Sequence, residues 1–154
     1  MRMKAKKKAG QRFCSLSHRG DQDHYPENSG EGVLSAVLMG ADCIEIDIRL
    51  TKDCVPVLMH DATLKRTTNV VEMMGKNGLP NSLNVADWTY DQLMELVLTK
   101  DGVKTDYKIL TLYEAAVLAA GRCFLHLDDK TGTLDLHTDV YDLGADVDSK
   151  ITFL

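Results

Sequence analysis

Residues 43–50, Cys-Ile-Glu-Ile-Asp-Ile-Arg-Leu, alternate strictly between apolar and charged side chains. A strand with this pattern carries Ile44, Ile46, Ile48 and Leu50 on one face and Glu45, Asp47 and Arg49 on the other, because successive side chains point to opposite sides. A second apolar run over 55–59 ends in His60-Asp61 and predicts the next strand. Upstream, the short mixed run 12–17 predicts a first strand. It ends in His18-Arg19-Gly20, where glycine permits a sharp exit. Ser29 is placed as the N-cap of a helix reaching about residue 39, with Val33, Leu34, Val37 and Leu38 as its apolar stripe and Gly40 as its stop. Strand, helix and strand in this order demand a parallel pair joined by a crossover helix.

Beyond His60 the pattern loosens into an irregular, glycine-containing excursion through Pro80. Thr89-x-x-Gln92 is a capping box, predicting a helix to about residue 98 with Leu93, Leu96 and Val97 inward. Thr111-x-x-Glu114 is a second box. It opens an apolar helix over 112–120, with Leu112, Val117 and Leu118 in the core and Gly121 as its terminator. Residues 123–130 predict another strand, again ending in acids. A helix over 135–143 and the start of a fifth strand over 150–154 complete an α/β class chain.

The alternating stretch carries candidate chemistry. Glu45 and Asp47 share a face about 7 Å apart along the strand, close enough for both to lean onto one divalent cation, with the His60 imidazole ending the next strand. The same pattern also describes any half-exposed antiparallel strand with acids in water. The predicted parallel pairing weighs against that second reading, since parallel sheets are covered by helices and a closed barrel buries the other face too. Buried carboxylates need partners, and a cation is a natural one.

Composition narrows the function classes. The 154 residues are 44% hydrophobic and 27% charged, as in a globular domain with a real core. No apolar run approaches the ~20 residues of a membrane-spanning helix. A net charge of −5 argues against general nucleic-acid binding. Residues 1–11 are strongly basic and read as a solvated tail before a domain over 12–154. No apolar segment follows that basic start, so a secretory signal is not expected and a cytoplasmic location is. Cys14, Cys43, Cys54 and Cys123 lie far apart without a Cys-x-x-Cys pair, which predicts buried free thiols and fits a reducing compartment.

Six segments in register carry a family resemblance: His18-Arg19-Gly20, Pro26-Glu27-Asn28-Ser29, Gly40-Ala41-Asp42, Ile44-Glu45-Ile46-Asp47-Ile48, Met59-His60-Asp61 and Arg66-Thr67-Thr68-Asn69. Together they resemble the signature set of the glycerophosphodiester phosphodiesterase family. The resemblance implies a TIM-type (β/α) barrel and metal-dependent hydrolysis of a small-molecule phosphodiester to an alcohol and glycerol 3-phosphate. It further implies His18 and His60 as the acid and base pair, Glu45, Asp47 and Asp128 as metal ligands, and Arg19 and Lys130 facing the phosphate. Glu27 and Asn28 are either a turn and helix cap or a support behind the metal ligands. Oxygen-only ligands favour Mg²⁺ or Ca²⁺ over Zn²⁺.

The chain departs from the family pattern at two points. Asp128 stands where the family usually carries Glu, with Asp129 beside it as an alternative ligand. The Asp-x-Lys spacing also resembles sphingomyelinase D-type phospholipases, which makes such a phosphodiesterase the runner-up activity. The chain also ends in the fifth predicted strand, whereas a (β/α)₈ barrel needs ~250 residues. A truncated barrel is therefore expected, with self-association through unpaired strand edges and weak or absent activity. An inactive metal- or phosphate-binding fragment is the non-enzymatic alternative.

Overall fold

The computed structural model describes residues 14–132. Strand β1 (Leu16–His18) leads to helix α1 (Gly30–Leu38) and strand β2 (Cys43–Leu50), followed by strand β3 (Pro56–Leu58). Helix α2 (Val70–Met73), a 3₁₀ turn (Val85–Asp87), helix α3 (Tyr90–Leu93) and the short strands β4 (Thr99–Lys100) and β5 (Val103–Lys104) fill the excursion. Helix α4 (Leu112–Ala119) and strand β6 (Phe124–Asp129) complete the described part. The segments predicted as the basic tail, a helix over 135–143 and a strand over 150–154 lie outside the described residues. No helix among the described residues is long and apolar enough to cross a membrane.

Strand β2 is the centre of the sheet. It pairs in parallel with β1, Leu16 opposite Cys43 and His18 opposite Glu45, and in parallel with β6, Cys43 opposite Phe124 through Ile48 opposite Asp129. Helices α1 and α4 cover the outer face. Ile44, Ile46 and Ile48 are fully buried there against Val33, Ala36 and Val37 of α1 and Leu112, Ala115, Ala116 and Ala119 of α4. Glu45 and Asp47, on the opposite face, are buried as well, at 7% and 0% exposure. The half-exposed antiparallel reading of this strand is thereby excluded. Strands alternating with outer helices around this sheet are part of a TIM-type barrel.

Strand β3 departs from the expected all-parallel order: it runs antiparallel to β2, with Ile48 opposite Leu58 and Leu50 opposite Pro56. Only residues 51–55 connect the two strands, and a parallel crossover needs a dozen or more. The reversal is built by Thr51, whose N–H donates to the Val55 carbonyl at 3.1 Å and whose carbonyl accepts from Cys54 N at 3.0 Å, with Cys54 in the left-handed region at φ +61°.

The excursion has a core of its own, in which Val57, Leu64, Val70, Trp88, Leu93, Leu96 and Ile109 are buried. Both capping boxes form: Thr89 with Gln92 and Thr111 with Glu114 each exchange side-chain and backbone bonds. The first helix is much shorter than expected, however. After a turn at Met94 and Glu95 the chain leaves the helix, and Asn69 takes over its backbone, its Oδ1 accepting from Val97 N at 2.9 Å and its N–H donating to the Val97 carbonyl at 3.2 Å. Strands β4 and β5 then form a hairpin on Asp101-Gly102, both with positive φ (52° and 79°), a turn chemistry suited to tight hairpins.

Several burial expectations change. On α4 the buried positions follow the i, i+3, i+4, i+7 spacing from Leu112, which turns Val117 to the outside at 44% exposure. On α1, Leu38 faces solvent and Ala36 replaces it in the buried stripe. All four cysteines are free, but only Cys43 is buried; Cys14 precedes β1 and Cys54 sits in the exposed turn.

Candidate functional site

Register brings the site together at the C-terminal ends of the parallel strands. His18 ends β1 opposite Glu45, and Asp47 lies opposite Asp128 near the end of β6. One carboxylate oxygen each from Glu45, Asp47 and Asp128 lies within 4.8 Å of the others. Asp129, the alternative ligand, faces elsewhere: its Oδ1 accepts from Thr131 N at 2.8 Å and Thr131 Oγ1 at 2.6 Å.

Asp47 is the most enclosed of the three. Asn28 Nδ2 donates to its Oδ2 at 2.9 Å, while Arg19 Nε stands 2.9 Å from that same oxygen as an ion pair. Lys130 Nζ lies 3.2 Å from Asp47 Oδ1 and also contacts Asp128 Oδ2. Asp128, then Asp47, hold the Lys130 ammonium above its ordinary pKa. Burial, then the neighbouring Asp47 charge, raise the Glu45 carboxyl. Glu45 Oε2 is buried with no hydrogen-bond donor, and Asp47 Oδ1 is buried with the Lys130 ammonium beside it at 3.2 Å. A buried acceptor without a donor is costly, and a cation between three converging oxygens would satisfy it. The donor set, all carboxylate oxygen, fits a hard divalent cation.

The loop after β1 presents Arg19 and Asn28 through left-handed backbone, φ +58° and +57°. Arg19 N donates to the Glu45 carbonyl at 2.8 Å, and Asn28 N to the Arg19 carbonyl at 2.9 Å, so this loop is stitched onto β2. Gly20 makes the return possible: a Cβ there would stand 2.7 Å from the Gly32 carbonyl carbon. Asn28 thus supports Asp47 directly. Glu27 does not touch the carboxylate cluster; it accepts from Arg19 Nη1 at 3.1 Å and from Arg66 Nη1 and Nη2, each at 2.7 Å.

The two imidazoles are held differently. Gln22 Nε2 donates to His18 Nδ1 at 3.1 Å, which leaves the proton of the neutral ring on Nε2, 3.6 Å from Glu45 Oε2. His60 Nδ1 lies 2.7 Å from Asp61 Oδ1, which places its proton on Nδ1 and leaves Nε2 as an acceptor. The His60 backbone is fixed by Arg49, whose Nε donates to its carbonyl at 2.9 Å. Arg66, above all, holds the Asp61 carboxyl well below the usual range.

Gln22, Arg49, Asp61 and Arg66 received no role from sequence reasoning. Asp61 and Arg66 stand inside recognised segments, and an acid directly after a candidate histidine was a usable signal. Gln22 and Arg49 carried none. His24 pairs with Asp21 at 2.9 Å, away from the cluster. An apolar groove of about 440 Å³ between α1 and α4, lined by Leu34, Leu110 and Leu118, holds none of these carboxylates or imidazoles.

The glycerophosphoryl diester phosphodiesterase family model matches residues 18–130. A glycerophosphodiester phosphodiesterase from Caldanaerobacter subterraneus subsp. tengcongensis is 36% identical over 123 residues, 76% of this chain but 45% of that protein. Among solved structures, a glycerophosphoryl diester phosphodiesterase from Parabacteroides distasonis is 34% identical, with a TM-score of 0.69 over 96% of this chain and 48% of its own. A phosphodiesterase from Oleispira antarctica, solved in complex with the product sn-glycerol-3-phosphate, shares the fold at 22% identity and a TM-score of 0.68, over 92% of this chain and 56% of its own. The chain therefore spans about half the length of these similar proteins.

Proposed function

The chain belongs to the glycerophosphoryl diester phosphodiesterase family, and on that basis we propose that its site serves cation-assisted hydrolysis of glycerophosphodiesters to an alcohol and glycerol 3-phosphate. The observation that carries this proposal is the convergence of Glu45, Asp47 and Asp128 oxygens within 4.8 Å of one another, beside an imidazole and two basic side chains.

A phosphodiester is anionic and a poor electrophile, so its charge must be offset in the transition state. Glu45, Asp47 and Asp128 would hold Mg²⁺ or Ca²⁺, and the bound cation supplies that positive charge. Arg19 and Lys130, both paired with Asp47, add two fixed cations for the non-bridging phosphate oxygens. His60, with Nε2 free to accept, takes a proton from the attacking water as its oxygen bonds to phosphorus. His18, with its proton on Nε2, gives one to the departing alkoxide as the bond from phosphorus to the alcohol oxygen breaks. Opposite tautomers, set by Gln22 on one ring and Asp61 on the other, support this division of labour.

Incubation with a glycerophosphodiester and Mg²⁺ or Ca²⁺, followed by identification of the phosphorylated product, tests the reaction. Glycerol 3-phosphate and free alcohol are expected. A phosphorylated alcohol with free glycerol would show cleavage on the other side of phosphorus and overturn the proposal.

A further inference from the structure

We propose that Arg66 is a positioning residue: one guanidinium locks the His60 imidazole through Asp61 and ties that histidine segment to the Arg19 segment through Glu27. The role builds on the phosphodiesterase site proposed above and adds a residue to it.

The geometry is a double fork. Arg66 Nε donates to Asp61 Oδ2 at 2.7 Å and Nη2 to Asp61 Oδ1 at 3.1 Å. On its other edge, Nη1 donates to Glu27 Oε2 and Nη2 to Glu27 Oε1, both at 2.7 Å. Each carboxylate passes the connection on. Asp61 Oδ1 meets His60 Nδ1 at 2.7 Å, and Glu27 Oε1 accepts from Arg19 Nη1 at 3.1 Å. Arg19 in turn stands against Asp47. Segments 39 residues apart in sequence are joined by one side chain.

An isolated exposed ion pair contributes little, because holding two long side chains still offsets the Coulomb gain in water. Arg66 differs in two respects. Its planar fork meets both carboxylates in the bidentate manner that adds geometric specificity. Its backbone is also anchored: Thr67 and Thr68 are buried, Thr68 Oγ1 donates to the Leu64 carbonyl at 2.6 Å, and Thr99 N donates to the Thr67 carbonyl at 2.8 Å. The side chain therefore starts from a fixed point on the second core. Without Arg66, Asp61 would be a partly exposed carboxylate free to rotate, and no other contact among the described residues fixes which His60 nitrogen carries the proton.

Nitrogen-15 imidazole spectra of the neutral ring test this in the full chain, with the buried Trp88 indole signal reporting the fold in the same sample. Wild type is expected to show His60 as the Nδ1–H tautomer. R66K keeps the charge but loses the fork, so it should lose the single-tautomer signature as R66Q does, whereas E27Q, which leaves the Asp61 fork intact, should retain it. If R66K keeps the wild-type signature, charge alone suffices and the proposal fails. Loss of fold in both Arg66 variants would equally overturn it, making the residue a structural pillar. Because the readout is the ring and not turnover, absence of glycerol 3-phosphate release from a chain with a locked His60 would count against the phosphodiesterase reading alone.

Discussion

Asn28 and Asp47 hold each other through a reciprocal pair: Asn28 Nδ2 donates to Asp47 Oδ2 at 2.9 Å, and Asp47 N donates to Asn28 Oδ1 at 3.2 Å. Both are buried, and Asn28 adopts φ +57°, which asparagine tolerates better than most residues. N28A should therefore lower unfolding free energy by about 2–4 kcal/mol, leaving the buried Asp47 N–H without a partner, Asp47 Oδ2 with Arg19 alone, and alanine in left-handed backbone. N28G should recover roughly 1 kcal/mol of this, the part due to left-handed backbone. Denaturant titration of the two variants separates the terms; equal losses would assign the whole effect to the hydrogen bonds.

Cation binding is the second expectation. Isothermal titration of Mg²⁺ and Ca²⁺ should show one site in wild type, with affinity lowered at least about tenfold in E45Q and in D47N, the loss expected when a charged oxygen ligand becomes a neutral one. Unchanged affinity in both variants would remove these residues from the metal site.

The β1-α1-β2 unit and the carboxylate pair are legible in the sequence because period-2 alternation, an N-cap serine and a stopping glycine each act locally. Burial of the acid-bearing face was inferred from parallel pairing and is observed. The antiparallel β3 was also within reach, since five connecting residues cannot form a crossover, but the apolar run over 55–59 says nothing of direction. Asp101-Gly102 was an overlooked hairpin signal. The first capping box marked where α3 begins but not where it ends, because the competitor for its backbone, Asn69, lies 28 residues from Val97. The Glu27 arm of the Arg66 fork spans 39 residues and the Arg49 anchor joins neighbouring strands, so neither is encoded by a local pattern, although the Asp61 arm is only five residues long.

Acid sensitivity should follow from Asp61. Arg66, then His60, hold its carboxyl below the ordinary 3.8 against the opposing effect of burial. A carboxylate depressed in the folded state contributes stability that is fully present above its unfolded pKa and is lost as pH falls toward the folded value. Wild type should accordingly lose stability below about pH 4 more steeply than D61N, as ordinary aspartate titrates near 3.9. The difference between their denaturation curves across that window reports Asp61 together with its coupling to Glu27 through the shared Arg66; parallel curves would contradict the pairing.

Self-association is expected of the isolated 154-residue chain. Leu16 and Phe124 are 56% and 44% exposed on strands β1 and β6, whose outer edges have no strand partner among the described residues. Unpaired edges beside exposed apolar side chains recruit further chains. Light scattering should report species larger than a monomer, reduced in F124S. A monodisperse monomer would show that the described sheet is sufficient by itself.

Release of glycerol 3-phosphate from a glycerophosphodiester, followed in wild type, D47N, H18A and H60A with and without chelator, measures the proposed chemistry most directly. It should be run on this chain and on a form extended to the length of its relatives, where activity is expected to be stronger. Release should stop with chelator, return with added Mg²⁺ or Ca²⁺, and fall by roughly 100-fold or more in each histidine variant, the usual scale for a general acid or base. Chelator-insensitive release, or undiminished turnover in D47N, would contradict a cation held by these carboxylates at the centre of the reaction.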